Sequence, residues 1–211
     1  MRIRMKELSL ILSRLKDIDR PKPELEQWTT PPEIVSRVLA YAYEYGDIED
    51  RICADLGCGN GIFAIGMALL GARNVTGIDI DEEAISTAKE NARIIGELYG
   101  RLPIEFILGD VRSIDITCDT IIMNPPFGLN KKTKHADRYF LVKAFYSSDV
   151  VYSLHYSSPR SRKFFEKLAS SFSFSCYHIA SFDFPLRTRF WFHKRKKIII
   201  KVDLMMFRKK Y

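Results

Sequence analysis

The chain has 211 residues, 46% of them hydrophobic and 28% charged, and a formal net charge of +7. That balance excludes a disordered or collagen-like chain and supplies the apolar material for one large domain. The longest uncharged apolar stretch, residues 62–72, is too short for a membrane helix of about 20 residues.

Charges at Arg2, Arg4, Lys6, Glu7, Arg14 and Lys16 leave at most six uncharged residues between them, short of an apolar leader core of about 7–15 residues, so a cytoplasmic protein with no membrane partner is expected. Met5, Leu8, Ile11, Leu12 and Leu15 keep the three-and-four spacing of an amphipathic helix over residues 5–16. The prolines at 21 and 23 break it. Thr30 followed by Pro31 reads as a helix cap and first turn, opening a helix to about Tyr45.

Strands and helices then alternate. Strands are predicted at 51–56, 74–80, 104–108, 120–123 and 150–154, with helices running to about 70, from 82 onward, and at 138–147 and 159–170. Asp81 reads as the cap of the second of these helices, with Glu82 and Glu83 where the macrodipole favours anions. From Ser175 onward β-branched and aromatic residues give two or three strands, with a short turn at residues 193–196. The expected fold is α/β: a mostly parallel seven-stranded sheet, helices on both faces, and an antiparallel C-terminal edge. Cys53, Cys58, Cys118 and Cys176 show no CxxC pair and no zinc spacing with histidine, so they read as buried thiols; neither a disulfide nor a metal site is expected.

Charge is unevenly spread. The last 25 residues hold ten Lys/Arg and one Asp, so residues 1–186 are net acidic. Arg187, Arg189, Lys194, Arg195, Lys196 and Lys197 form this basic end, and Lys131, Lys132, Lys134 and Arg138 form a smaller cluster. Such segregation fits a polyanion such as RNA; the plainer alternative is a strand edge guarded by lysines.

Two motifs carry chemistry. Asp55-Leu-Gly57-Cys-Gly59-Asn60-Gly61 follows a strand and opens a helix at Ile62. Its glycines let a ligand approach the backbone, but the GxGxG spacing and the preceding acid differ from a dinucleotide fingerprint. An acid there repels pyrophosphate and attracts a cation. Asp79 before Ile80, and Asp110 before Val111, end the next two strands at the edge where open α/β sheets bind ligands. Three strand-end acids describe a pocket for a cationic adenosine, S-adenosylmethionine. The second motif, Asn124-Pro125-Pro126-Phe127, stiffens the backbone after a strand. An amide oxygen and a fixed carbonyl can accept both hydrogens of a planar –NH2, directing nitrogen density toward an incoming methyl. Positioning supplies the catalysis, with no base needed before transfer, and Phe127 suits stacking on a base. His155 then reads as a structural imidazole at a strand end.

These motifs resemble class I, Rossmann-like methyltransferases of exocyclic or side-chain amines. Together with Glu26-Gln27-Trp28-Thr29-Thr30-Pro31, Ile78-Asp79-Ile80-Asp81 and Val151-Tyr-Ser-Leu-His155 they resemble the methyltransferase-like-five family over residues 8–207. That family makes N6-methyladenosine in small-subunit ribosomal RNA. The resemblance implies that Gln27 and Thr30 line the cofactor pocket, with Gly57, Asn60 and Ile62 around the methionine part. It also implies that Asp79 holds the ribose, Asp110 the adenine amine, and Asn124, Pro125 and Phe127 the target adenine. Residues 1–46 are then a helical extension over the pocket of a single domain, and 47–211 its Rossmann-like core. Eukaryotic members work with a small zinc-ribbon activator that adds to a sheet edge, an implied partner beside ribosomal RNA. Glutamine methylation of a protein, DNA adenine methylation, and a silent RNA-binding subunit remain as alternatives; the C-terminal charge favours RNA and the intact motifs favour catalysis.

Overall fold

A computed structural model describes residues 5–186 and 198–211. Six helices and seven strands follow in chain order: α1 (Met5–Leu12), α2 (Pro32–Glu44), β1 (Ile52–Leu56), α3 (Ile62–Leu69), β2 (Asn74–Asp79), α4 (Glu82–Tyr99), β3 (Ile104–Leu108), β4 (Thr120–Met123), α5 (Ala136–Ser147), β5 (Val150–Tyr156), α6 (Pro159–Ser171), β6 (Phe174–Leu186) and β7 (Ile198–Lys209). They build one sheet of order β3-β2-β1-β4-β5-β7-β6, parallel through β5 and antiparallel at β7 and β6.

The order reverses between β1 and β4, the switch point at which the strand ends splay to leave a crevice. β1 is sealed on one side by α3, whose eight residues are all buried. One apolar cluster joins α1, α2, α3 and α4 to one sheet face, and another joins α5 and α6 to the opposite face. No helix among the described residues is long and apolar enough to cross a membrane.

Three local expectations change. The first helix stops at Leu12 instead of 16, because Ser13 Oγ donates back to Leu10 O at 2.8 Å and the next amides make tighter turns to Ile11 and Leu12. Thr30 does not cap α2: Pro31 holds the cap position, and the Thr30 hydroxyl is engaged elsewhere. Asp81 occupies the cap position of α4, but its carboxylate turns to Gln27 and Lys22. The segment after Ser175 resolves into two long strands. The predicted turn at 193–196, with Arg187, Arg189 and Lys194 to Lys197, lies outside the described residues.

Candidate active site

The glycine loop is hung on the end of β2. The Gly57 and Cys58 amides both donate to Ile78 O at 2.8 and 2.9 Å, and Gly59 N–H donates to Asp79 Oδ2 at 2.9 Å. Gly57, Gly59 and Gly61 take φ of +72°, +54° and +82°, a region that side chains rarely adopt. At Gly61 a Cβ would also meet Ala88 Cβ at 3.0 Å and Phe106 at 3.1 Å. Glycine here both turns the chain and lets it settle onto α4 and β3.

In front of the loop lies a cleft of about 340 Å³. Gly57, Gly59, Asn60 and Ile62 form its floor, Asp79, Ile80, Asp110 and Val111 one end, and Asn124 and Pro126 the other. Residues 24–30 close it from the N-terminal side, and Tyr139 and Phe140 of α5 from the opposite one. A second cavity of about 1050 Å³ lies across residues 27–30, which partition the two.

The N-terminal segment is strapped over the mouth by side chains far away in sequence. Asn60 and Asn91 amides both donate to Lys16 O at 3.0 Å, and Lys16 N–H donates to Asn91 Oδ1. Gln27 Nε2 donates to Asp81 Oδ2 at 2.8 Å, beside the Lys22 ammonium. Burial pushes the Asp81 carboxyl up, and hydrogen bonds from Gln27 and Lys22 outweigh it and bring it below its usual value. Glu26 Oε1 accepts from Asn130 N–H at 3.0 Å and from the Thr133 hydroxyl, pinning the lysine-bearing loop that follows β4.

The cleft is lined with groups that have no partner among the described residues. Asn124 Nδ2 donates to Thr30 Oγ1 at 2.9 Å, which fixes the amide plane and leaves Oδ1 buried and unpaired. Trp28 Nε1 and Glu26 Oε2 are also buried and unpaired. Buried polar atoms left empty cost about 1–3 kcal/mol each, so a lining that holds three is built to receive a polar ligand. Asp79 gives one oxygen to the Gly59 amide and one to the Asp81 amide, keeping a lone pair on each; burial raises its carboxyl above the usual range.

Not every predicted site residue faces the cleft. Asp55 is fully buried behind the loop, where Oδ2 accepts from Ala64 N–H at 3.2 Å; burial pushes its carboxyl up to about 8. Gly61, Pro125 and Phe127 also stand outside the lining. Phe127 packs edge-on against Phe184 with ring centroids 5.7 Å apart. Asp110 is in the lining, but its carboxylate is held by the Arg112 guanidinium, which keeps it below its usual value. Lys132 reaches the cleft, whereas Lys131 and Lys134 are exposed on the loop and Arg138 stands near the start of α5. Sequence reasoning passed over Glu26's hold on the loop, Tyr139, Phe140 and Asn91. The Glu26-Gln27 pair was visible in the sequence, but nothing in the spacing around α5 marks its two aromatics as cleft walls.

Comparison with known proteins agrees with this architecture. A family profile described as ribosomal protein L11 methyltransferase (PrmA) matches residues 39–124. The rRNA N(6)-adenosine-methyltransferase METTL5 of Danio rerio is 35% identical, covering 97% of this chain and 99% of that one. The chain belongs to the METTL5 methyltransferase family. The crystal structure of a proposed RNA methyltransferase from Pyrococcus horikoshii is 42% identical, with a TM-score of 0.85 and 99% of each chain covered. At the level of fold alone, magnesium protoporphyrin IX methyltransferase from Synechocystis with bound SAM superposes with a TM-score of 0.63, at 20% identity over 84% of this chain and 79% of that one. Members of the METTL5 family and this distant methyltransferase thus share the Rossmann-like sheet described above.

Proposed function

We propose that the chain methylates the N6 amine of an adenosine in ribosomal RNA, using S-adenosylmethionine. The observation that carries this reading is the Asn124 amide: its NH2 is tied to Thr30 and its oxygen waits, buried and unpaired, at the end of the cleft. An acceptor held so is complementary to the N–H of an exocyclic amine. The match to METTL5 over nearly the whole chain supports adenosine in rRNA as the substrate.

The residues present fit the cofactor. Asp79 retains lone pairs for ribose hydroxyls, the backbone at Gly57 and Gly59 carries no side chain to obstruct a ligand, and Glu26 Oε2 and Trp28 Nε1 offer one acceptor and one donor. When bound, S-adenosylmethionine supplies an activated methyl group. Asn124 Oδ1 accepts one amine hydrogen and a main-chain carbonyl of the Asn124–Pro126 turn the other, which turns the nitrogen lone pair out of the ring plane. Pro125 and Pro126 hold that carbonyl because their fixed φ and missing N–H restrict the turn. Positioning of this kind makes the reaction effectively unimolecular. Phe127, braced by Phe184, offers an aromatic surface beside the turn. His155 takes no proton: burial pushes its imidazole down to about 3, so it is neutral at physiological pH. The lysines at 131, 132 and 134 supply the phosphate contacts nearest the turn. β3 and β6 are the edge strands of the sheet among the described residues, where a strand-adding activator would pair, and the cytoplasm is the expected site of action.

Labelled methyl transfer to total RNA, DNA and protein, followed by nucleoside analysis, tests the reading; label in glutamine or in DNA overturns it. Asn124→Ala lowers transfer by about 100- to 1000-fold, as loss of one preorganised polar group does elsewhere, while calorimetric cofactor affinity stays within a few-fold. Joint loss of affinity and transfer contradicts the role given to Asn124.

A further inference from the structure

Several exposed cations in this chain are matched by acids. Arg93 pairs with Glu90 and Glu97, Arg73 with Asp50, and Lys209 with Asp149. Helix α6 instead gathers three unmatched cations on a single face. Arg160, Lys163 and Lys167 are exposed, and no acid among the described residues forms an ion pair with any of them. At 100° per residue they fall, with exposed Phe164, within a stripe about 100° wide. Phe165 and Ala169 occupy the opposite, buried face, and Arg162 turns inward to Asp203 at 2.7 Å. Glu166 lies off the stripe.

The stripe starts at the catalytic edge of the sheet. β5 lies parallel to β4, with Ser153 opposite Met123, so the end of β5 stands beside Asn124. Tyr156, 46% exposed, ends that strand, and α6 then runs back along the sheet. Arg160 sits in a first turn that holds no acid, where the helix macrodipole disfavours a cation. An unpaired cation at that position, with exposed Phe164 and Tyr156 close by, opposes local stability, and such violations concentrate where a surface has a partner.

We infer that the outer face of α6, with Tyr156, is a track for the sugar–phosphate backbone of the substrate RNA on one side of the methylated adenosine. The inference rests on the RNA reading above and extends it to residues outside both basic clusters seen in the sequence. Three phosphate contacts give affinity without sequence information, and Phe164 and Tyr156 offer faces for unpaired bases.

The test uses the full chain carrying Arg160→Gln, Lys163→Gln and Lys167→Gln, with transcribed small-subunit rRNA as probe. Its binding is measured across a salt series and its methylation by labelled transfer. The expected result is about 50-fold weaker binding at 0.15 M salt and a salt slope shallower by about 2, because each lost single-strand contact removes about 0.7. KM for RNA rises by a similar factor, and kcat at saturating RNA is retained. Tm rises by about 2 °C, since a cation leaves the positive end of a helix, which separates a lost contact from misfolding. Wild-type affinity and slope in the triple variant overturn the inference. If the wild-type protein methylates no RNA, the functional reading falls while the binding series still decides whether α6 holds RNA.

Discussion

Thr30 is the residue through which the N-terminal segment holds the proposed amide clamp at Asn124, and Thr30→Val isolates that action. Valine keeps the shape and removes the acceptor of a 2.9 Å hydrogen bond from Asn124 Nδ2 at a position only 3% exposed. The buried NH2 is then unsatisfied in the productive orientation, at a cost of about 1–3 kcal/mol. A half-turn of the amide relieves that cost by presenting NH2 in place of the oxygen to the substrate amine, where donor meets donor. The productive orientation is therefore depleted about 5- to 150-fold, and the single-turnover methylation rate falls about 10- to 100-fold. Thr30 also lines the cleft, so cofactor affinity is measured in parallel by calorimetry and should change by less than the rate. Thr30→Ser keeps the acceptor and recovers most of the rate. Wild-type rate in the valine variant, or no recovery with serine, refutes the amide-locking argument.

Three further outcomes follow from the site and its surroundings. Gly61→Ala forces a side chain into φ +82° and against Ala88 and Phe106, so thermal unfolding should show a loss of about 1–3 kcal/mol; an unchanged Tm refutes the packing role. Asp55 has its carboxyl raised from 3.8 to about 8 by burial, so folding takes up a proton in that window. Its contribution is complete below about pH 4 and is lost as pH rises through about 8; Asp55→Asn flattens that slope in denaturant titrations, and parallel curves refute it. His155 has the opposite sign: burial lowers it from 6.5 to about 3, so its contribution is present above about 6.5 and is lost as pH falls toward 3. His155→Phe, on a ring already stacked at 4.0 Å from Phe165, should remove that acid limb; an unaltered limb assigns the loss to other groups.

Strand–helix alternation and the two motifs made the sheet and the position of its crevice legible, because both depend on short-range pattern. Glycines at alternate positions announce a turn, and Asn-Pro-Pro-Phe announces a stiff strand exit, wherever the rest of the chain lies. What the pattern does not carry is where a polar side chain finds its partner. Thr30 before proline has the local form of a helix cap, yet its hydroxyl goes to an amide 94 positions away. Asp81 has the same local form and is likewise drawn off, to Gln27 and Lys22. Asp55 ends a strand as a ligand-facing acid would, but the nearest unsatisfied donor is the Ala64 amide behind the loop.

These departures share a cause. Each diverted side chain is itself buried and meets a donor supplied by a separate element, and leaving such a group unpaired costs more than a surface cap contributes. The diversions at Thr30, Gln27 and Lys22 all lie on the segment that roofs the cleft, so the same bonds that spoil the local reading assemble the site. Glu26 adds the fourth, to the loop after the catalytic turn. The cleft, the Asn124 turn and the basic loop are thus tied to one stretch of chain. Loosening that stretch should disturb cofactor affinity, transfer and RNA affinity together, whereas a change confined to α6 should disturb RNA affinity alone.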